Sequence, residues 1–109
     1  MAYDEKLATR VRDALPGGDA WSEKKMFGGV GFLLAGNMCC GVHKNDLILR
    51  LGPEATDAAL DEPHVRVFDL TGRAMTGWVV VGAGGTEDDD ALHGWVERAT
   101  AYVATLPPK

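Results

Sequence analysis

GFLLAGNMCCGVHKNDLILRL, residues 31–51, decides the fold. Three short apolar segments are separated by Gly36-Asn37 and Lys44-Asn45, two-residue turn signals that leave room only for antiparallel neighbours. In the last segment Leu47, Leu49 and Leu51 alternate with Ile48 and Arg50, a period of two that sets one leucine row against a core. The stretch reads as an antiparallel meander, and residues 24–27 add a candidate strand ahead of it.

Outward from the meander the periods change. Over residues 4–15, Leu7, Ala8, Val11, Ala14 and Leu15 recur at three- and four-residue steps, one apolar stripe of a helix that Pro16-Gly17-Gly18 ends. After it, Gly52-Pro53 opens a short helix, because proline suits a first helical position where no amide hydrogen is needed; the helix stops before Pro63. VRVFD (65–69) and GWVVV (77–81) read as a second hairpin through Thr71-Gly72. Thr86 with Asp89 resembles a capping box, and Leu92, Trp95, Val96, Ala99, Tyr102, Val103 and Leu106 follow at helical spacing up to Pro107-Pro108. The order is helix, strands, helix, two strands, helix. With no strand-helix-strand alternation, this is an α+β domain, residues 1–109, with helices packed on an antiparallel sheet.

Composition excludes several function classes. The 109 residues are 46% hydrophobic and 25% charged, ordinary for one folded domain. MAYDEKLATR lacks the basic start and apolar run of a signal peptide, and no apolar stretch approaches the roughly 20 residues of a membrane span, so a cytoplasmic protein without membrane contact is expected. Cys39 and Cys40 are sequence neighbours, which gives no disulfide framework and fits a reducing compartment. Net charge is −5, yet residues 1–51 carry seven Lys/Arg against six Asp/Glu and residues 52–109 four against ten. That balance disfavours strong autonomous DNA binding, which must neutralise several phosphates.

Each chemical motif has a structural counterpart. VVVGAGGTEDDD (79–90) has the strand, glycine loop and helix start of a phosphate cradle, but Glu87, Asp88, Asp89 and Asp90 occupy the turn where an anion would sit. Those carboxylates instead suit the positive end of a helix dipole. On a strand Cys39 and His43 lie about 13 Å apart and cannot share a zinc ion. Alternation puts Cys40 with Met38 and Val42 and puts Cys39 with His43. His64 and His93 are isolated, and no serine has a nucleophile setting, so neither catalytic residues nor a metal site is expected. Trp78 reads either as part of a recognition patch with Arg73 or as a ring packed under a helix beside Trp95 and Tyr102. Lys24 and Lys25, with Arg73, read either as a modest surface for an acidic partner or as solvated side chains.

KKMFGG (24–29), GNMCCGV (36–42), LRLGPEA (49–55), FDLTGRAMTGWVVV (68–81) and WVERATAYVATLPPK (95–109) together resemble the N-terminal domain of the TfoX/Sxy family, proteins associated with regulation of natural competence for DNA uptake. The resemblance spans nearly the whole chain. It implies a secretion-chaperone-like α+β fold and a standalone version of a domain that full-length regulators join to a helix-hairpin-helix-like one. It also marks Lys24, Lys25, Phe27, Gly28 and Gly29 as signature positions. At 72–78 this sequence reads GRAMTGW, with Ala74 and Thr76 where the family pattern has proline and lysine.

The expectation is a non-enzymatic regulatory or adaptor domain, without cofactor, that acts through an unidentified protein partner or as a homodimer. Its candidate surface is Lys24, Lys25, Phe27, Gly28, Gly29, Arg73 and Trp78. The alternatives are weak nucleic-acid binding through the small basic patch and, last, a small-molecule site.

Overall fold

The computed structural model describes residues 3–17, 20–26, 28–69 and 76–108. The elements are α1 (Glu5–Ala14), β1 (Trp21–Met26), β2 (Gly29–Leu34), β3 (Asn37–His43), β4 (Asp46–Arg50), α2 (Pro53–Leu60), β5 (Val65–Val67), β6 (Trp78–Val81), a 3₁₀ turn at Ala83–Gly85, and α3 (Asp89–Val103). The six strands form one antiparallel sheet in the order β1-β2-β3-β4-β6-β5. The α+β class and element order are those expected from the sequence, and the extra strand is real, running from Trp21.

All three helices cover one face of the sheet. Leu7 and Val11 of α1, Ala59 of α2, and Leu92, Val96, Ala99 and Val103 of α3 pack with the inward strand residues Val30, Phe32, Val42, Leu47, Leu49, Val79 and Val81 in a single cluster. That inward set keeps the period of two along β2, β4 and β6, as burial on one face of a pleated sheet requires. Asp4 caps α1 by accepting from the amides of Lys6 and Leu7.

Two boundaries move from their sequence positions. The β2–β3 turn is Ala35-Gly36, both left-handed (φ 51° and 84°), which leaves Asn37 buried in β3, where its Nδ2 donates to the carbonyl of Pro107 at 2.8 Å. Asn37 is more useful as an anchor for the chain beyond α3 than as a turn residue. Helix α3 begins at Asp89 under the cap of Asp88, whose Oδ2 accepts from the amide of Ala91 at 3.2 Å. Thr86 is buried instead at the end of the 3₁₀ turn, with its hydroxyl donating to the carbonyl of Ala83 and its own carbonyl accepting from Arg10 at 2.6 Å. The Thr71-Gly72 turn lies outside the described residues.

Strand β3 carries one residue more than β2 at its bulge. Phe32 pairs with Cys40 and Leu33 with Met38, so Cys39 has no partner on β2. The bulge resets the alternation, and both thiols enter the core at 0% exposure. Cys39 therefore does not share a face with His43. Met38 lies on the opposite side, where its Cε would come within 3.3 Å of a methyl placed on Gly41.

The glycine pair ahead of β2 does two separate tasks. Gly28 holds φ at 75° in the two-residue link from β1 to β2. Gly29 is buried with no room for a side chain, because a Cβ there would overlap the carbonyl oxygen of Val42. Close backbone approach, expected from the sequence, is what this glycine provides.

At the outer edge, Arg12 of α1 grips Glu23 of β1 with both nitrogens, Nε at 2.6 Å and Nη2 at 2.8 Å. The guanidinium holds the Glu23 carboxyl below its ordinary value through these hydrogen bonds. Since the pair is exposed, its worth is modest.

These observations set two expected outcomes. Urea denaturation of Gly29→Ala should show a loss of about 2–3 kcal/mol from forced backbone displacement, whereas Gly94→Ala, in α3 with nothing near its added Cβ, should gain about 0.5–1 kcal/mol. A depressed carboxyl in the folded chain contributes stability above its unfolded pKa and loses it as pH falls through the folded value. Glu23→Gln should accordingly cost about 0.5 kcal/mol near neutrality, with the difference from the parent chain fading in acid as the parent's Glu23 protonates.

Candidate functional site

Lys24 and Lys25 are both exposed on β1, an edge strand. Their faces follow from the register. Lys25 opposes Val30, an inward residue, and Lys24 opposes Gly31, which points outward. The two cations therefore sit on opposite faces of the sheet and do not form one patch. Charged residues along an unpaired edge discourage pairing with another chain, which gives this lysine pair a structural role as edge protection.

Of the other sequence-derived candidates, Phe27 and Arg73 lie outside the described residues. Gly28 and Gly29 act on the backbone as described above. Trp78 is half-buried and neighbours Val79, an inward residue, so it starts β6 on the outward side. It does not pack under a helix beside Trp95. Its ring lies 5.9 Å from Phe68, and the Arg50 guanidinium sits 5.6 Å above it and 6.0 Å from the ring of Tyr102. Trp95 is stacked instead by Arg98, at 4.3 Å, which also pairs with Glu62.

The outward face has its own cross-strand row: Lys24, Gly31, Gly41, Ile48, Val80 and Arg66 are successive partners from β1 to β5. Beside this row a hollow of about 180 Å³ is lined by His43, Lys44, Asp46, Ile48, Arg66, Phe68, Asp69 and neighbouring residues. Asp46 accepts from Arg66 across it. No part of the hollow was apparent in the sequence: its residues come from four strands, the β3–β4 turn and the segment after β5, and no local spacing announces them. A second hollow, of about 440 Å³, lies on the helix side between the end of α1 and β1, with Leu15, Trp21 and Phe32 beneath the Arg12–Glu23 pair.

The thiols line neither hollow. Cys39 Sγ lies 3.8 Å from Thr100 Oγ1 of α3, and that hydroxyl also donates to the carbonyl of Val96 at 2.8 Å. Its hydrogen bond with Cys40 pulls the Cys39 thiol down, helped by Thr100 and the charge of Arg50, whereas the same bond and burial push Cys40 well up. With both sulfurs sealed in the core, the pair acts as packing for α3. Among the described residues no three His, Cys, Asp or Glu side chains gather in a metal-holding group, and no helix is long and apolar enough to cross a membrane.

The described arginines are committed, and the basic charge left over is on lysines. Arg10, Arg12, Arg66 and Arg98 each pair with a carboxylate, and Arg50 covers aromatic rings. Together with the divergence of Lys24 and Lys25, this leaves no shared patch of those two lysines to track phosphates, and Arg73 lies outside the described residues.

Neither the curated proteins nor the solved structures gave a match to the chain. The family pattern described as the TfoX N-terminal domain matches residues 13–102, from within α1 almost to the end of α3. The chain belongs to the TfoX N-terminal domain family.

Proposed function

We propose that this chain is a non-enzymatic regulatory adaptor domain, of the kind tied to control of natural competence, and that it works through contact with another protein. The observation that carries this reading is the one-sided helix layer. The core lies between the helices and one face of the sheet, and the other face, which no described helix covers, carries Ile48 and Val80, both nearly buried, beside half-buried Phe68 and Trp78 and charged side chains. A sheet face left without a helix layer, with a hollow among its charged side chains, is a surface that a partner can cover. The sealing of both thiols beneath α3 supports the non-enzymatic part, because a reactive thiolate needs access.

The test is size-exclusion chromatography with light scattering on the chain expressed at native level in its own cells. A complex well above the 11.6 kDa of the monomer is expected. Cys39→Ala and His43→Ala variants should remain in that complex, since neither group performs chemistry. Elution at the monomer mass alone would contradict the reading.

A further inference from the structure

We propose that the outward face of the sheet, centred on the Ile48–Val80 hollow, is the docking surface for an acidic amphipathic segment of a partner protein. The inference rests on the adaptor reading above and adds which face is used and what chemistry the partner carries.

The two faces of the domain differ in charge. The helix layer exposes Glu5, Glu54, Asp57, Asp89, Asp90 and Glu97 against Lys6, Arg12 and Arg98, the two arginines being paired with carboxylates. The outward face holds Lys24 at one end of the cross-strand row and Arg66 at the other, with Lys44 and His43 on the rim of the hollow; its carboxylates are Asp46, already paired with Arg66, and Asp69. On a chain of net charge −5 this is the face that attracts acid.

Shape follows the same row. Gly31 and Gly41 oppose each other and contribute no side chain, and the Met38 side chain lies over Gly41, so an apolar stretch runs between Lys24 and Ile48. Ile48 and Val80 floor the hollow and Phe68 stands beside it, against Trp78. A volume of about 180 Å³ suits one aliphatic or aromatic anchor from a partner. Three strand spacings separate the Lys24 and Ile48 positions, about 14 Å, close to three turns of a helix laid across the strands. Carboxylates on such a segment would meet Lys24 at the end of the row and Lys44 in the β3–β4 turn, beyond the His43–Asp46 pair.

A second copy of this chain fits less well. The acidic side of a second copy is its helix layer, so sheet face would meet helix face in a heterologous contact that does not close into a dimer.

Selection from a displayed library of random 16-residue peptides, followed by ¹⁵N NMR mapping of one selected peptide, tests the proposal on the whole chain. Enriched sequences should carry an excess of Asp and Glu around an aliphatic or aromatic residue. The selected peptide should shift the amides of Ile48, Val80 and Arg66. Lys24→Glu with Lys44→Glu, both exposed, should weaken binding at least tenfold, while Lys25→Glu, next in sequence but on the other face, should change it less than twofold. Peptides without acidic excess, shifts confined to the helix layer, equal effects of the Lys24 and Lys25 changes, or no enrichment would each overturn it. Self-association abolished by Lys24→Glu with Lys44→Glu would overturn it in favour of a second copy. Mapping to the helix layer would sink this surface and leave the adaptor reading standing, whereas a purely monomeric chain in its own cells would remove that reading first.

Discussion

One unpaired residue, Cys39, governs how the sheet meets its helices. Without the bulge, strict alternation along β3 would turn either Cys39 or the Cys40–Val42 side away from α3. With it, Asn37, Cys39, Cys40 and Val42 are all buried, and Met38 and Gly41 are left together on the outward side. Helix α3 lies on β3 and β4, α1 lies on α3 and β3, and Asn37 ties down the chain after α3. The placement of the helix layer thus depends on a local change of register in the strand beneath it.

The same asymmetry leads to the functional reading. Because all the described helices are spent on one face, the other face is built from what the strands alone supply: glycines at 31 and 41, Leu33 and Met38 beside them, two β-branched residues at 48 and 80, and aromatic rings at the far side. The edge strand limits its own pairing with lysines, which turns self-association toward faces and away from edges. The described arginines are held by carboxylates or rings, and most exposed acids lie on the helix side, with Asp46 and Asp69 at the outward hollow. The result is a small domain with two chemically distinct surfaces and a sealed interior.

Much of the fold could be read from the sequence because its signals are local. The Leu47-Leu49-Leu51 alternation, the 3.6-residue stripes of α1 and α3, and Pro53 at a helix start each depend on near neighbours only. What was missed depends on contacts distant in sequence. Asn37 looks like a turn residue until Pro107, seventy positions later, accepts its amide. Thr86 looks like a cap until the backbone tightens into a 3₁₀ turn and Asp88 takes that place. The bulge is a mismatch between two strands and leaves no mark within either one. For the site, the opposite facing of Lys24 and Lys25 was implicit in an extended strand, but the extent of β1 was not settled by residues 24–27 alone. The hollow was invisible because His43, Asp46, Arg66 and Phe68 are joined only by strand order.

The register of β3 against β2 is the claim from which the helix layer, the sealed thiols and the composition of the outward face all follow. Nuclear Overhauser contacts from the β protons of the two cysteines measure it directly. Cys39 should contact Thr100 of α3, and Cys40 should contact the inward residues Phe32 and Leu49. Contacts from Cys39 to His43 and the outward residues, with Cys40 alone beneath the helices, would contradict it.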